Sequence, residues 1–443
     1  MRPPSRPAVW IAIAPSTTAL SQSRPVSHSL DIRYPLHVRL VAVASIATIA
    51  PDAWDRLGAP DYPFMEHAFL LALETSGSVG QGSGWHPIYL LATNDYELTA
   101  DRSATELPAD AVIHGAAAAY IKTDSYGEFI FDWAWASFFH RNGESYYPKL
   151  VVAAPFTPAA GPRVLVHPNA DPVEVTRLLG SGAVTLTKDV KATSVHWLFT
   201  REEEAQALAR LGYEHRLTVQ HAWQNNGYAT FDEFLATMRS RNRKQIRRER
   251  RLASSHGLHI GIYRGSEMDD EQWRAIGEFY LRGCHRYGST PYLTAAFFEQ
   301  LRAHFADRVL CCMARDDERW VAATINFQRG KHLYGRYWGC VREYYALHFE
   351  MAFYKLIEHC IENGWTRFEA GAGGRHKIKR GLEPVFTHSA HWIADKVLGA
   401  AVYHHIRSES EYMTQHLQDV KSGSTRRRDV PGPVLDEQSD PSL

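Results

Sequence analysis

The sequence lacks the signatures of several large enzyme classes. It contains no HExxH, no CxxC pair and no GxSxG elbow, so neither zinc-dependent hydrolysis nor a serine acyl-enzyme has its usual residues. Cysteine is scarce: Cys284, Cys311, Cys312, Cys340 and Cys360, all in the second half. An odd number without regular spacing fits buried thiols in a reducing compartment, not a disulfide framework. The adjacent Cys311 and Cys312 would face opposite sides of a strand and cannot serve one site. The 23 histidines are scattered, and no metal ligand set is expected. Net charge is also missing, because 49 basic residues balance 49 acidic ones; any charged partner must therefore be met locally. Apolar runs such as 41–50 fall short of the roughly 20 residues that span a bilayer. A cytoplasmic protein without a membrane span is expected.

What remains is a chain of 443 residues, 45% of them hydrophobic, enough for two ordinary cores. The Arg-, Ser- and Pro-containing stretch 1–35 reads as a transit-type peptide, a flexible tail or an over-long start. The stretch 408–443, with Arg426, Arg427 and Arg428, reads as a disordered tail. Between them, 36–225 alternates strand-like and helical runs in mixed α/β order. A connecting basic helix is expected over 226–257, with acids Asp232 and Glu233 in its first turn and Gly257 at its end. Over 258–407 the pattern predicts a strand, two helices, three strands, a helix and a strand. That element order resembles one half of a GNAT-type acyltransferase.

Four groups of residues carry chemistry. A strand ending at Tyr334, Arg336, Tyr337 and Trp338 precedes a helix that opens on His348 and Glu350. This places a cation, an imidazole and a carboxylate near the mouth of a sheet, suited to removing an amine proton and stabilising charge on an acyl oxygen. Residues two apart on a helix point about 200° from each other, so His348 and Glu350 share a site only in a fraying first turn. Next, Glu369 leads into a glycine-rich turn with Gly373, Arg375, His376, Lys377, Lys379 and Arg380, a cradle for phosphate or pyrophosphate. Its spacing fits neither a dinucleotide fingerprint nor a P-loop, and a solvated surface turn is the plainer reading.

The third group is a basic run: Arg239, Arg241, Arg243, Lys244, Arg247, Arg248, Arg250 and Arg251, opposed only by Glu249. It suits the phosphates of a tRNA or a nucleotide-linked substrate, although no aromatic side chains interleave it to stack on bases. In the first half, Lys122, Ser125, Glu128 and Lys149 lie at strand ends among aromatic residues, as a substrate pocket in an open sheet would.

Several blocks resemble the FemAB-like family of peptidoglycan biosynthesis or recognition proteins. They include Ser125-Tyr126-Gly127-Glu128-Phe129, Tyr146-Tyr147-Pro148-Lys149-Leu150, Gly335-Arg336-Tyr337-Trp338-Gly339, Leu347-His348-Phe349-Glu350 and the turn from His376 to Gly381. The resemblance runs from about residue 50 to 410 and implies an α/β fold of tandem GNAT-like domains, 36–225 and 258–407. It also implies transfer of an acyl or aminoacyl group to an amine on a small molecule or peptide. No cofactor would be tightly bound; the donor, aminoacyl-tRNA or acyl-CoA, would be a co-substrate. In this expectation Glu350 or His348, or else Glu369, accepts the amine proton. Arg336 and the amides of 371–374 polarise the carbonyl, and Lys377, Lys379 and Arg380 hold donor phosphates. The chain departs from the family pattern in having Gly373 for Gln and Arg375 for Glu. Two other readings stand beside this one. An acetyl-CoA-dependent N-acetyltransferase would need glycines that the segment 341–346 lacks, and a non-catalytic module would bind cell-wall peptide or RNA without transfer.

Overall fold

The computed structural model describes residues 28–30, 38–94 and 111–422. The first half opens on strand β1 (His28–Leu30), paired with β2 (Val38–Val43). Helix α1 (Pro51–Asp55) starts on a proline at its first position, where the missing N–H costs nothing. Helix α2 (His67–Thr75) follows, and then β3 (Trp85–Asn94) and β4 (Ile113–Lys122) extend the antiparallel sheet from β2. After α3 (Trp133–Arg141), strand β5 (Lys149–Val152) continues it. The short β6 (Leu165–Val166) and helix α4 (Pro172–Asp189) lead to β7 (Ser194–Thr200), which lies parallel to β5. Helix α5 (Glu202–Ala209) and strand β8 (Glu214–Gln224) close the half.

Between the halves the sequence predicts one long helix, but two form: α6 (Phe231–Ala236) and α7 (Ser240–Ser254). The run breaks at Arg239, whose backbone is extended (φ −60°, ψ 144°), and Arg243 Nη1 donates to the carbonyl of the buried Met238 at 2.6 Å. The second half then repeats the order of the first. Strand β9 (His259–Arg264) is followed by α8 (Asp270–Arg286) and α9 (Ala295–His304), and then by the antiparallel β10 (Val309–Arg315), β11 (Trp320–Arg329) and β12 (His332–Cys340). A helix begins as α10 (Leu347–Phe349), widens into a π turn at Glu350–Tyr354 and continues as α11 (Lys355–Glu362). Strand β13 (Arg367–Glu369) returns parallel to β12. Strand β14 (Glu383–Ile393) and helix α12 (Lys396–Ser422) complete the chain. In each half a strand, helices, three antiparallel strands and a helix precede a parallel fifth strand, which is the tandem GNAT-like order.

The halves are sewn together by strand exchange. Strand β8 pairs with β13 of the second half, β14 pairs with β7 of the first, and the two exchanged strands pair with each other from Glu383↔Ala222 to His391↔Glu214. One sheet results, in the order β1-β2-β3-β4-β5-β7-β14-β8-β13-β12-β11-β10-β9. An aromatic core crosses the same boundary. Phe64 packs edge-on against Phe69 of its own half and against Phe327 and Tyr334 of the other, and Glu66 pairs with Arg308 and Arg329 at 2.7 and 3.3 Å.

The expected tails need revision. Helix α12 runs well past residue 408, because Arg216 grips Glu409 with two hydrogen bonds of 2.6 and 3.1 Å and Ser410 Oγ accepts from the Leu217 amide. Residues 423–443, with Arg426 to Arg428, lie outside the described residues, as does 1–35 apart from β1. Among the described residues no helix is long and apolar enough to cross a membrane.

Because Phe64 is fully buried between the halves, Phe64→Ala should cost about 3–5 kcal/mol and shift a single cooperative unfolding transition. Two separated transitions in denaturant would show that the halves do not share this core.

Candidate functional site

Parallel strands β12 and β13 pair only over His332–Tyr334 and Arg367–Glu369. Beyond Tyr334, β12 stays paired with β11 but parts from β13, and the sheet splays open between them. A cleft of about 590 Å³ occupies the splay, lined by β12 (Gly335 to Trp338), by α8 (Tyr280, Cys284), by the helix after β12 (His348, Phe353) and by the loop 370–377. The first half contributes Phe129 and Pro158. Helix α8 comes this close to the strand because Gly283 has no side chain: a Cβ there would sit 2.3 Å from the Trp338 carbonyl.

A β-bulge aims Arg336. In the β11–β12 register Ile325 faces Tyr337 and Asn326 faces Gly335, so Arg336 is the extra residue and its side chain is re-aimed. Its guanidinium donates to the carbonyl of Phe156 in the first half and lies over the Tyr337 and Phe129 rings at 5.1 and 5.8 Å. Phe156 and Phe129 both adopt left-handed backbone, φ 55° and 58°, a conformation that costs a non-glycine residue about 1–3 kcal/mol and clusters at functional sites. Phe156 is stacked on Tyr292 at 5.1 Å. The cleft is thus a joint product of both halves.

The glycine loop is organised from within. Lys377 Nζ donates to the carbonyls of Ala370, Gly371 and Ala372 at 2.8, 2.7 and 3.2 Å. In a trans peptide the N–H points opposite to the C=O, so the amides of Gly371, Ala372 and Gly373 face away from the ammonium. Ala372 and Gly373 line the cleft. Burial lowers the Lys377 ammonium to about 8. Lys377, expected to hold donor phosphates, lines the cleft with its ammonium donating to these three loop carbonyls. Arg380 is engaged as well. It is buried, meets both oxygens of Glu249 at 3.1 and 2.7 Å, donates to the His376 carbonyl and covers the Phe349 ring. Lys379 and His376 remain exposed, and the Arg375 side chain lies outside the described residues.

His348 and Glu350 part company, as their two-residue offset requires. His348 lines the cleft against the rings of Trp338 and Phe353, and burial, reinforced by His376, Arg380 and Lys377, lowers its imidazole to about 4. Glu350 turns to the opposite side, where it is buried against Arg250 at 3.1 Å, and burial raises its carboxyl despite that cation. Arg250 also forks onto Glu358 at 3.1 and 2.9 Å. Glu369 is buried against Arg367 at 2.9 Å, and Tyr334 points into the shared aromatic core with its hydroxyl donating to the Asp61 carbonyl. Of the expected catalytic residues, Arg336 and His348 meet in the cleft, while Glu350 and Glu369 do not line it.

The first-half candidates form a closed cluster elsewhere. Lys149 Nζ donates to Ser125, Glu128 and Asp132 at 2.8, 2.8 and 2.5 Å, and Lys122 binds Asp124 at 3.0 Å while covering Trp85. Both lysines are fully buried and neither lines the cleft, so an internal ion cluster replaces the expected substrate pocket. Sequence reasoning passed over Tyr280, Cys284 and Tyr292. They come from a helix and a loop with no motif, and only the close approach at Gly283 brings Tyr280 and Cys284 to the strand.

A family model described as FemAB-like, peptidoglycan biosynthesis/recognition, matches residues 45–428. Among solved structures, FemX is 12% identical, with 80% of this chain and 97% of that chain covered and a TM-score of 0.47. A tandem GNAT protein from the clavulanic acid biosynthesis pathway is 11% identical over 81% and 99%, TM-score 0.41. L-PGS from Bacillus licheniformis is 10% identical over 66% and 86%, TM-score 0.41. No curated protein sequence matches.

Lys377→Met keeps the packing of the side chain's stem but removes three donors. It should destabilise the protein by about 1–3 kcal/mol and speed amide exchange at 371–374. Unchanged exchange there would show that the loop holds itself.

Proposed function

The chain belongs to the FemAB-like family of peptidoglycan biosynthesis and recognition proteins, and from that premise we propose that it transfers an acyl or aminoacyl group directly to an amine, with no covalent enzyme intermediate. The observation that carries this reading is that Arg336, His348 and the glycine loop at Ala372 and Gly373 all line one cleft at the splay. Arg336 and the loop amides would polarise the acyl carbonyl as negative charge develops on its oxygen. His348, already unprotonated, would accept a proton from the attacking amine. Its basicity is held down first by burial and then by the neighbouring His376, Arg380 and Lys377. An anionic donor in the cleft would offset those charges and strengthen the base when it is needed. The family's description directs the acceptor toward an amine of a peptidoglycan precursor.

The surface of α7 favours a polyanionic donor, aminoacyl-tRNA, over acyl-CoA. Arg243 and Arg250 are used internally, but Arg241, Lys244 and Arg248 are exposed. Together with Tyr345 they surround a surface hollow of about 450 Å³, and their spacing keeps them on one helical face. The segment 341–346 that would receive a CoA pyrophosphate has no glycine. At the start of the helix the amides of Leu347, Phe349 and Glu350 already donate to Tyr344 and Ala346.

Incubation with labelled aminoacyl-tRNA or acetyl-CoA and a panel of amines tests the reading directly; binding of either donor with no transfer to any amine would leave a recognition module instead. In the transfer assay Arg336→Gln should lower kcat by about 100-fold with KM little changed, and an unaltered kcat would remove Arg336 from the chemistry. The double change Arg241→Ala with Arg248→Ala should weaken tRNA binding and reduce the slope of log K against log salt by about 2. An identical slope would place the donor elsewhere.

A further inference from the structure

A second groove opens onto the cleft. About 460 Å³ in volume, it is floored by β8 from Arg216 to His221, flanked by α12 at Glu409, Tyr412 and Met413, and walled by the first-half segment from Phe129 to Phe131. It shares three lining residues with the cleft: Phe129, Ala372 and Gly373. Gly373 stands at the junction. Its φ is 72°, and a Cβ built there meets no atom within 4 Å, so the loop is open on this side, between the two spaces that Gly373 lines.

The groove's chemistry differs from that of the basic α7 face. Arg216 is neutralised by its double hydrogen bond to Glu409, while its third nitrogen, Nη1, is buried with no partner among the described residues. Phe131 and Tyr412 are 74% and 62% exposed at the groove, and Phe199, Val219, Ile378 and Met413 add apolar surface. Direct transfer requires the amine to reach the acyl carbon by a route that the donor does not fill. We infer that this groove is the acceptor subsite, and that it takes an extended, largely apolar arm of no net charge whose terminal primary amine passes Gly373 into the cleft.

This inference rests on the transferase reading above and locates its second substrate. In the step it serves, the amine nitrogen forms a C–N bond to the acyl carbon as the ester C–O bond of the donor breaks. The amine proton moves to His348 and then to the departing oxygen, which leaves as a hydroxyl. In this arrangement the groove walls on β8 and α12, at Val219 and Met413, set which acceptor arms fit.

The test measures binding of n-alkylamines, from butylamine to octylamine, to the full chain by calorimetry without donor. Affinity should rise by about fourfold per added methylene. Met413→Trp, which fills a half-buried position on the α12 wall, should abolish that dependence while leaving butylamine binding and the melting temperature unchanged. Val219→Trp, on the β8 floor of the groove and outside the cleft, should lower transfer to octylamine at least tenfold without altering tRNA affinity. Affinity independent of chain length, or the same dependence in Met413→Trp, overturns the groove assignment. Because the binding arm needs no catalysis, length-dependent binding without transfer would sink the transferase reading alone. Transfer to octylamine that ignores both variants would sink the groove alone.

Discussion

The pairing of β8 with β14 is the constraint on which the rest of the molecule depends. Each of these strands lies against the partner half's fifth strand as well as against the other exchanged strand. Neither half can therefore be removed without stripping hydrogen-bond partners from the other, and the cost of an unpaired buried strand edge is large. The exchange also decides where the cleft can be. It fixes β13 from one side while β12 pairs with it over only three residues, so the opening between them is bounded by fixed elements.

The same economy runs through the ion pairs around the cleft. Glu249 on α7 accepts from Arg380 and Gln245 and from the Tyr354 hydroxyl in the π turn. One carboxylate thus ties the connecting helix, the helix after β12 and the glycine turn together. Arg250, the next residue, locks Glu350 and Glu358. What reads in the sequence as a uniform basic stripe is two populations: cations facing inward as braces and cations facing water. Lys377 braces in the same way, since its ammonium holds three carbonyls of the glycine loop.

Much of the fold was legible in the sequence because its cues are local. Short continuous apolar runs mark β10 and β11, and the element order of the second half follows from such runs. The strand exchange was not legible, since a strand's partner across 170 residues leaves no periodic trace. The break before α7 carries no glycine or proline to mark it, and only the extended backbone at Arg239 reveals it. In the site, Arg336 and His348 were readable from a strand followed by a helix start. Glu350, Glu369, Lys122 and Lys149 misled because residue type gives charge but not whether a partner already satisfies it. The tyrosines of α8 and the following loop carry no sequence cue, and only packing brings them to the cleft.

The stripe of cations on α7 has one more consequence. The chain as a whole is electrically neutral, so the positive excess concentrated on this one helix must be balanced by an equal negative excess spread over the remainder. The field beside the helix's exposed cations Arg241, Lys244, Arg247 and Arg248 is therefore positive although the molecule as a whole carries no net charge. Charge separation of this kind governs the rate and orientation of encounter, and it does so without any gain in the strength of the final contacts.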